Sequence, residues 1–103
     1  MVKYMLRWSE QSKMDLKAIF DYTKNAESRE RANYVIENIR KEANEITIFP
    51  TKHAQEPLIL DQTVRYTIKW NYKILFTVSE KYINIVRIFH TAQNPIKLGF
   101  NYS

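Results

Sequence analysis

The stretch from Val64 to Leu98 constrains the fold most, because it is rich in β-branched and aromatic residues and divides into three strand-like runs. In the first run, apolar residues from Val64 to Trp70 alternate with Arg65, Thr67 and Lys69, which predicts one apolar and one basic face. The runs 74–78 and 82–90 are apolar at nearly every position, as expected of strands covered on both faces. Tight turns are predicted at Asn71-Tyr72 and at 79–81.

The residues before this stretch predict one strand and two helices. A period-two pattern predicts a first strand over 2–8, and Ser9 is placed to cap a helix over 10–25. Ser28 is placed to cap a second helix, which Pro50 closes. The predicted apolar face of the first helix comprises Met14, Leu16, Ile19, Phe20 and Tyr22, and that of the second comprises Ala32, Val35, Ile36, Ile39, Ala43 and Ile46.

The order strand, helix, helix and three strands predicts an α+β fold in one domain, residues 1–103. An N-terminal strand is followed by an antiparallel helical hairpin and then by a three-stranded antiparallel meander. The hairpin is expected to cover one face of the sheet. The reverse face is then expected to form a positively charged hollow, to which Arg65 and Lys69 contribute.

The composition excludes several classes of protein. A net charge of +5 favours an acidic partner, whether a nucleic acid or a protein segment. The single glycine, Gly99, excludes the glycine-rich phosphate loops of nucleotide-binding proteins, and the absence of cysteine excludes disulfides and thiolate zinc sites. No apolar run could cross a bilayer and residues 1–10 do not resemble a leader, so we expect a cytoplasmic protein without a membrane partner or cofactor.

Two residues near the end of the last strand are candidates for chemistry. His90 could act as a general acid or base, or could simply stabilise the strand exit through a hydrogen bond. Arg87 interrupts an apolar strand, so it either binds an anion or forms an internal pair with Glu56 or Asp61. Residues 87 and 90 point to opposite faces of a regular strand and can share one site only if a bulge intervenes.

A second group of candidates comes from the first strand of the meander and the loop before it. Arg65, Thr67 and Lys69 share one face, which is either a binding surface for an acidic polymer or a solvated sheet face. Lys52, His53 and Glu56 could reach over that face. Two histidines without an acidic cluster at helical spacing argue against a metal site.

Six segments together resemble the RelE/ParE superfamily of toxins from bacterial type II toxin-antitoxin systems. The most distinctive is Ile85–His90 followed by Gln93-Asn94-Pro95. The others are Trp8-Ser9, residues 15–22, Ile46 to Pro50, Val64-Arg65-Tyr66 and residues 72–76. The resemblance implies a small basic, growth-inhibiting toxin that is neutralised by a cognate acidic antitoxin.

The superfamily contains two activities, and the resemblance leaves both open. ParE-type members bind DNA gyrase, whereas RelE-type members cleave mRNA on the ribosome without a metal. The short helical hairpin and the IVRIFH motif before QNP are closer to the ParE type. A third possibility is an inactive domain that only binds its partner.

Each activity implies its own set of residues. A nuclease would use His90, Arg65, Glu56 and Lys52 around the scissile phosphate. A binding toxin would use a larger set for target or antitoxin, which comprises Arg65, Lys69, Arg87, His90, Gln93, Phe100 and Tyr102.

Overall fold

The computed structural model describes residues 3–57, 59 and 63–92, which form a four-stranded sheet with two helices against one face. The elements are β1 (Met5–Trp8), α1 (Glu10–Ala26), α2 (Arg29–Ile46), a 3₁₀ helix (Pro50–Lys52), β2 (Arg65–Lys69), β3 (Tyr72–Val78) and β4 (Tyr82–His90). The strand order is β1-β4-β3-β2. The antiparallel meander and the α+β class are confirmed, but β1 runs parallel to β4, so the sheet is mixed.

Both helices begin at the predicted serines. The hydroxyl of Ser9 accepts a hydrogen bond from the backbone N–H of Ser12 at 3.0 Å, and Ser28 accepts one from Arg31, also at 3.0 Å. The apolar stripe of α2 is buried as predicted, with Ile36 partly covered. The predicted face of α1 is wrong at Met14 and Tyr22, which are 62% and 72% exposed.

The main core lies between the helices and the sheet. Ile39 and Ile46 of α2 meet Ile74 and Phe76 of β3, all without solvent exposure, and Leu16 is the most buried apolar residue that α1 contributes. Residues 83, 85 and 88 of β4 complete this layer. The predicted central position of β3 is confirmed, since Ile74, Leu75 and Phe76 are all buried although they alternate between faces.

The prediction of a positively charged hollow on the reverse face of the sheet is wrong. Ile59 and Val64 pack there against Leu75 and Phe89 in a second core. The segment that precedes β2 is attached to it by backbone hydrogen bonds from Glu56 N to Val64 O, 2.9 Å, and from Tyr66 N to Ala54 O, 3.0 Å. The physical reason is that both faces of β3 and β4 are apolar, so the reverse face needs a cover of its own.

Two local irregularities position side chains for the site. Lys69 is opposite Tyr72, so the β2–β3 turn consists of Trp70 and Asn71, one residue earlier than predicted, and Trp70 has a φ of 54°. In β4, Ile85 is opposite Phe76 but Arg87 is opposite Leu75, so Val86 is an extra residue that forms a β-bulge.

Candidate functional site

Arg87 lies just after the bulge and binds Asp15 of α1 through two hydrogen bonds. Its Nε is 2.8 Å from Asp15 Oδ2 and its Nη2 is 3.1 Å from Oδ1, and the backbone N–H of Ile88 donates to the same Oδ2 at 2.9 Å. Both side chains are nearly buried, at 13% and 11% exposure. Arg87 is therefore internally paired, as one of the two interpretations held, and the partner that the structure shows is Asp15, which was not among the predicted partners. Asp61 lies outside the described residues.

Asp15 is not among the predicted site residues, because its place in the helical pattern is outside the apolar face of α1. It precedes the buried Leu16 by one position and Ile19 by four, so its Cβ lies at the margin of the covered face. An acidic residue at such a margin, together with an unexplained arginine inside an apolar strand, is the signal that could have identified the pair.

His90 is exposed at the end of β4, opposite Tyr72 of β3. Its ring meets the ring of Tyr72 edge to face, with centroids 5.7 Å apart, and its Nδ1 accepts a hydrogen bond from the backbone N–H of Ala92 at 3.1 Å. This hydrogen bond is the one expected if the histidine stabilises the end of the strand. Because Nδ1 is an acceptor, the proton of the neutral ring is assigned to Nε2.

A cleft of about 630 Å³ separates α1 from the end of β4, and we call it the α1/β4 cleft. Arg87 and His90 both line this cleft. The bulge lies at Val86, before Arg87, and residues 87–90 pair regularly with β3, so the prediction that the two share a site only if a bulge intervenes is wrong. Burial raises the pKa of Tyr72, and the nearby Tyr22 and Glu27 add to this, whereas a hydrogen bond with Thr23 opposes it. The described residues that line the cleft are Asp15, Ala18, Ile19, Tyr22, Tyr72, Arg87, Ile88, Phe89 and His90.

Arg65 supports the loop before β2. Its Nη1 donates to the backbone carbonyl oxygens of His53, at 2.6 Å, and Thr51, at 3.4 Å. Thr67, two residues on, donates to the Glu42 carboxylate of α2 at 2.9 Å. The shared face of Arg65 and Thr67 therefore turns toward the helix side of the sheet, away from the predicted hollow.

Glu56 is fully buried beneath the same loop. Its Oε2 is 2.8 Å from Nζ of Lys73, whose ammonium also lies 4.3 Å from the centroid of the Tyr66 ring. Lys73 is opposite Phe89, which belongs to the reverse core, whereas His90 is the next residue of β4 and faces the helix side. Glu56 and His90 are thus on opposite faces of the sheet.

The other predicted residues are spread over the surface or lie outside the described ranges. Lys52 is exposed at the end of the 3₁₀ helix, and Lys69 lies beside Trp70, 5.1 Å from its ring centroid. Gln93, Phe100 and Tyr102 are outside the described residues. Within the described residues there is no group of three histidine or acidic side chains that could hold a metal ion.

His53 makes an edge-to-face contact with Phe76, with centroids 5.5 Å apart. Burial lowers the pKa of His53, and Lys52 and Arg65 lower it further, while Glu42 opposes them. Its Nε2 is buried without a hydrogen-bond partner among the described residues. A neutral ring is favoured in this position, because the protonated form would carry an unpaired N–H into the protein.

Comparison with known proteins gives one family and a common fold. The family model described as "ParE toxin of type II toxin-antitoxin system, parDE" matches residues 6–95. No curated protein matches the chain significantly. In the part of the chain that the structure describes, no helix is long and apolar enough to cross a membrane.

Two solved structures share the fold at low sequence identity. One is the chromosomal ParDE toxin-antitoxin system from P. aeruginosa, with a TM-score of 0.74 and 24% identity over 85% of this chain and 96% of that one. The other is the toxin-antitoxin complex RelBE2 from Mycobacterium tuberculosis, with a TM-score of 0.68 and 14% identity over 90% and 97%.

Proposed function

Since the chain belongs to the family of ParE toxins of type II toxin-antitoxin systems, we propose that it inhibits growth by binding DNA gyrase and that a cognate antitoxin neutralises it. The match covers most of the chain, from residue 6 to residue 95. The two solved structures described above are toxin-antitoxin systems, which supports an antitoxin partner. Gyrase is the target that the ParE type of the superfamily implies.

The observation that carries the choice of binding over cleavage is the state of three of the four residues that a nuclease would need. General acid-base catalysis requires the acid, the base and the cations within hydrogen-bond reach of one phosphate. Here the carboxylate of Glu56 is bonded to Lys73 in the interior, and Arg65 is bonded to two backbone carbonyls. His90 faces the other side of the sheet, so this arrangement supports a binding protein.

The α1/β4 cleft is the proposed seat of the antitoxin. Ala18, Ile19 and Ile88 give it apolar walls that would hold apolar side chains, and the net charge of +5 attracts an acidic segment from solution. Asp15 neutralises Arg87 at its side, so the cleft is not itself a strong anion site. An antitoxin segment in which an apolar side chain is flanked by carboxylates fits these features best.

Gyrase assays and induction in cells test the proposal together. We expect the purified protein to inhibit supercoiling of relaxed plasmid by gyrase, and its induction to cause DNA breaks and an SOS response. Codon-biased mRNA cleavage on ribosomes, abolished by His90→Ala or Arg65→Ala, would contradict the proposal in favour of the nuclease. Induction that harms nothing would indicate an inactive partner-binding domain.

The antitoxin part is tested by filling the cleft. Ala18→Trp should weaken binding of the cognate antitoxin by at least about tenfold, because the indole occupies the cleft. Asn33→Trp places the same indole at an exposed position of α2 outside the cleft lining, so it is the matched control and should bind like the wild type. If both variants bind the antitoxin equally well, the cleft is not part of the antitoxin interface.

A further inference from the structure

Two exposed aromatic rings stack on each other beside the β2–β3 turn. Tyr34 of α2 and Trp70 have centroids 5.7 Å apart with an interplanar angle of 28°, and they are 50% and 44% exposed. The guanidinium of Arg31 lies 5.3 Å from the Tyr34 centroid and 5.8 Å from that of Trp70, and Nζ of Lys69 lies 5.1 Å from the latter. We call Arg31, Tyr34, Lys69 and Trp70 the aromatic ridge.

One residue of the ridge, Trp70, has an unfavourable backbone conformation. Trp70 has a φ of 54°, a left-handed conformation that glycine or asparagine adopts at lower cost than a bulky residue. Stacking on Tyr34 offsets part of that cost, but Trp70 as a whole residue remains 44% exposed. Residues in such uncommon backbone conformations are concentrated at functional sites.

The composition of the ridge is that of a protein-binding hot spot. Tryptophan, tyrosine and arginine are the residues that most often dominate the energy of protein interfaces. The ridge has two cations, and Glu27 lies beside it, with its carboxylate 3.9 Å from Nε of Arg31. An acidic partner surface with an apolar side chain between its carboxylates would complement both the rings and the charges.

The position of the cations favours a protein over a nucleic acid. A base stacks on an open aromatic face. The Trp70 ring is already approached by Tyr34, Arg31 and Lys69, so less of its face is open to a base. Carboxylates that pair with the cations from the side need no such opening.

Resting on the function proposed above, we propose that the aromatic ridge is the surface with which this toxin binds an acidic protein patch of gyrase. A second cleft of about 260 Å³ runs beside the ridge and includes Arg31 and Trp70. It shares Tyr22, Tyr72 and His90 with the α1/β4 cleft. An antitoxin bound in the α1/β4 cleft would therefore contact residues next to the ridge. Its volume would overlap with that of gyrase bound at the ridge, so the two could not bind together.

The test compares single substitutions in the gyrase supercoiling assay. Trp70→Gly removes the ring and suits the positive φ, and Arg31→Gln removes one cation. Each should raise the toxin concentration needed for half inhibition at least about tenfold. Arg7→Gln is the matched control, because Arg7 also lies over an aromatic ring, that of Tyr82 at 3.7 Å, but at the β1 edge of the sheet. It should inhibit like the wild type.

The outcomes separate this inference from the function on which it rests. No inhibition by the wild-type protein overturns both. Inhibition by the wild type that is unchanged in Trp70→Gly and Arg31→Gln overturns the ridge alone. Circular dichroism shows whether each variant is folded, and a variant that is unfolded is replaced by Lys69→Gln, for which the same loss is expected.

DNA is tested separately as the occupant. Binding of the isolated toxin to short single-stranded or duplex DNA, measured by gel shift and lost in Trp70→Gly, would overturn the assignment to a protein patch. Absence of such binding, with weaker pull-down of purified gyrase by Trp70→Gly than by Arg7→Gln, supports it.

Discussion

At the residue scale, the most informative contact is the Asp15–Arg87 pair. An arginine in an apolar strand predicts an acidic partner, because an unpaired buried charge is strongly unfavourable. The sequence pattern indicates that a partner exists but does not identify it, since Asp15 is 72 positions away and only the packing of α1 on β4 brings it near. Arg87 is neutralised by this pair, so we expect it to shape the cleft more than to attract an anion.

His53 should make the stability of the protein depend on pH. Burial lowers its pKa below the usual 6.5, so the unfolded state binds a proton at a higher pH than the folded state does. The contribution of His53 is therefore fully present above about pH 6.5 and is lost as the pH falls toward the folded-state value. Urea unfolding measured between pH 5 and pH 7 should show stability that rises with pH.

A comparison of two histidine variants isolates this effect. His53→Gln should flatten the rise between pH 5 and pH 7, whereas His90→Gln, at the exposed end of β4, should leave it in place. A slope that is unchanged in His53→Gln would show that other groups cause it.

At the element scale, features set by neighbouring residues are predictable from the sequence and features set by distant ones are not. The helix caps and the stripe of α2 depend on residues within a few positions, and both are confirmed. The apolar face of α1 is wrong at Met14 and Tyr22 because what covers a helix is decided by the tertiary packing around it. The predicted β2–β3 turn is one residue late, since asparagine is the usual residue for positive φ and Trp70 takes it here.

The two helix caps should differ in their contribution to stability. Ser9 and Ser28 each accept one capping hydrogen bond, and loss of a cap costs roughly 1 kcal/mol. The hydroxyl of Ser9 also donates to the backbone carbonyl of Val86 at 2.9 Å, which ties α1 to the bulge in β4. Ser9→Ala should therefore lower the free energy of unfolding more than Ser28→Ala does, by about another 1 kcal/mol. Equal losses in urea titrations would contradict a role for the Ser9–Val86 bond.

At the scale of the whole molecule, the sheet has a core on each face. The apolar runs of β3 and β4 indicate that both faces are covered, but they do not identify what covers the reverse face. The sequence of residues 51–64 has little periodicity, so it does not indicate that Ile59 and Val64 pack against Leu75 of β3. Among the described residues, the contacts that hold this segment there include the hydrogen bond from Arg65 to the carbonyl of His53, the Glu56–Lys73 pair and the packing of Ile59 in the reverse core. The prediction of a charged hollow is wrong for this reason, while the α+β order, set by segment type alone, is confirmed.

The buried Glu56–Lys73 pair provides a test of that cover. Glu56→Gln leaves the ammonium of Lys73 without its counter-charge and should destabilise the protein by about 3–5 kcal/mol. The double variant Glu56→Leu/Lys73→Met should recover most of this loss, because an apolar pair of similar volume removes both charges. Asp21→Asn, which breaks the exposed Lys17–Asp21 pair, should cost less than about 1 kcal/mol. Urea unfolding of all three distinguishes a pair that matters for folding from one that does not.

The parallel pairing of β1 with β4 has a consequence for synthesis. Met5 lies opposite Tyr82 and Trp8 opposite Ile85, so the first strand has no partner in the sheet until the last strand leaves the ribosome. The Asp15–Arg87 contact and the α1/β4 cleft likewise form only after β4 has been synthesised. A chain interrupted before β4 therefore lacks both the pairing of β1 and the cleft between α1 and β4.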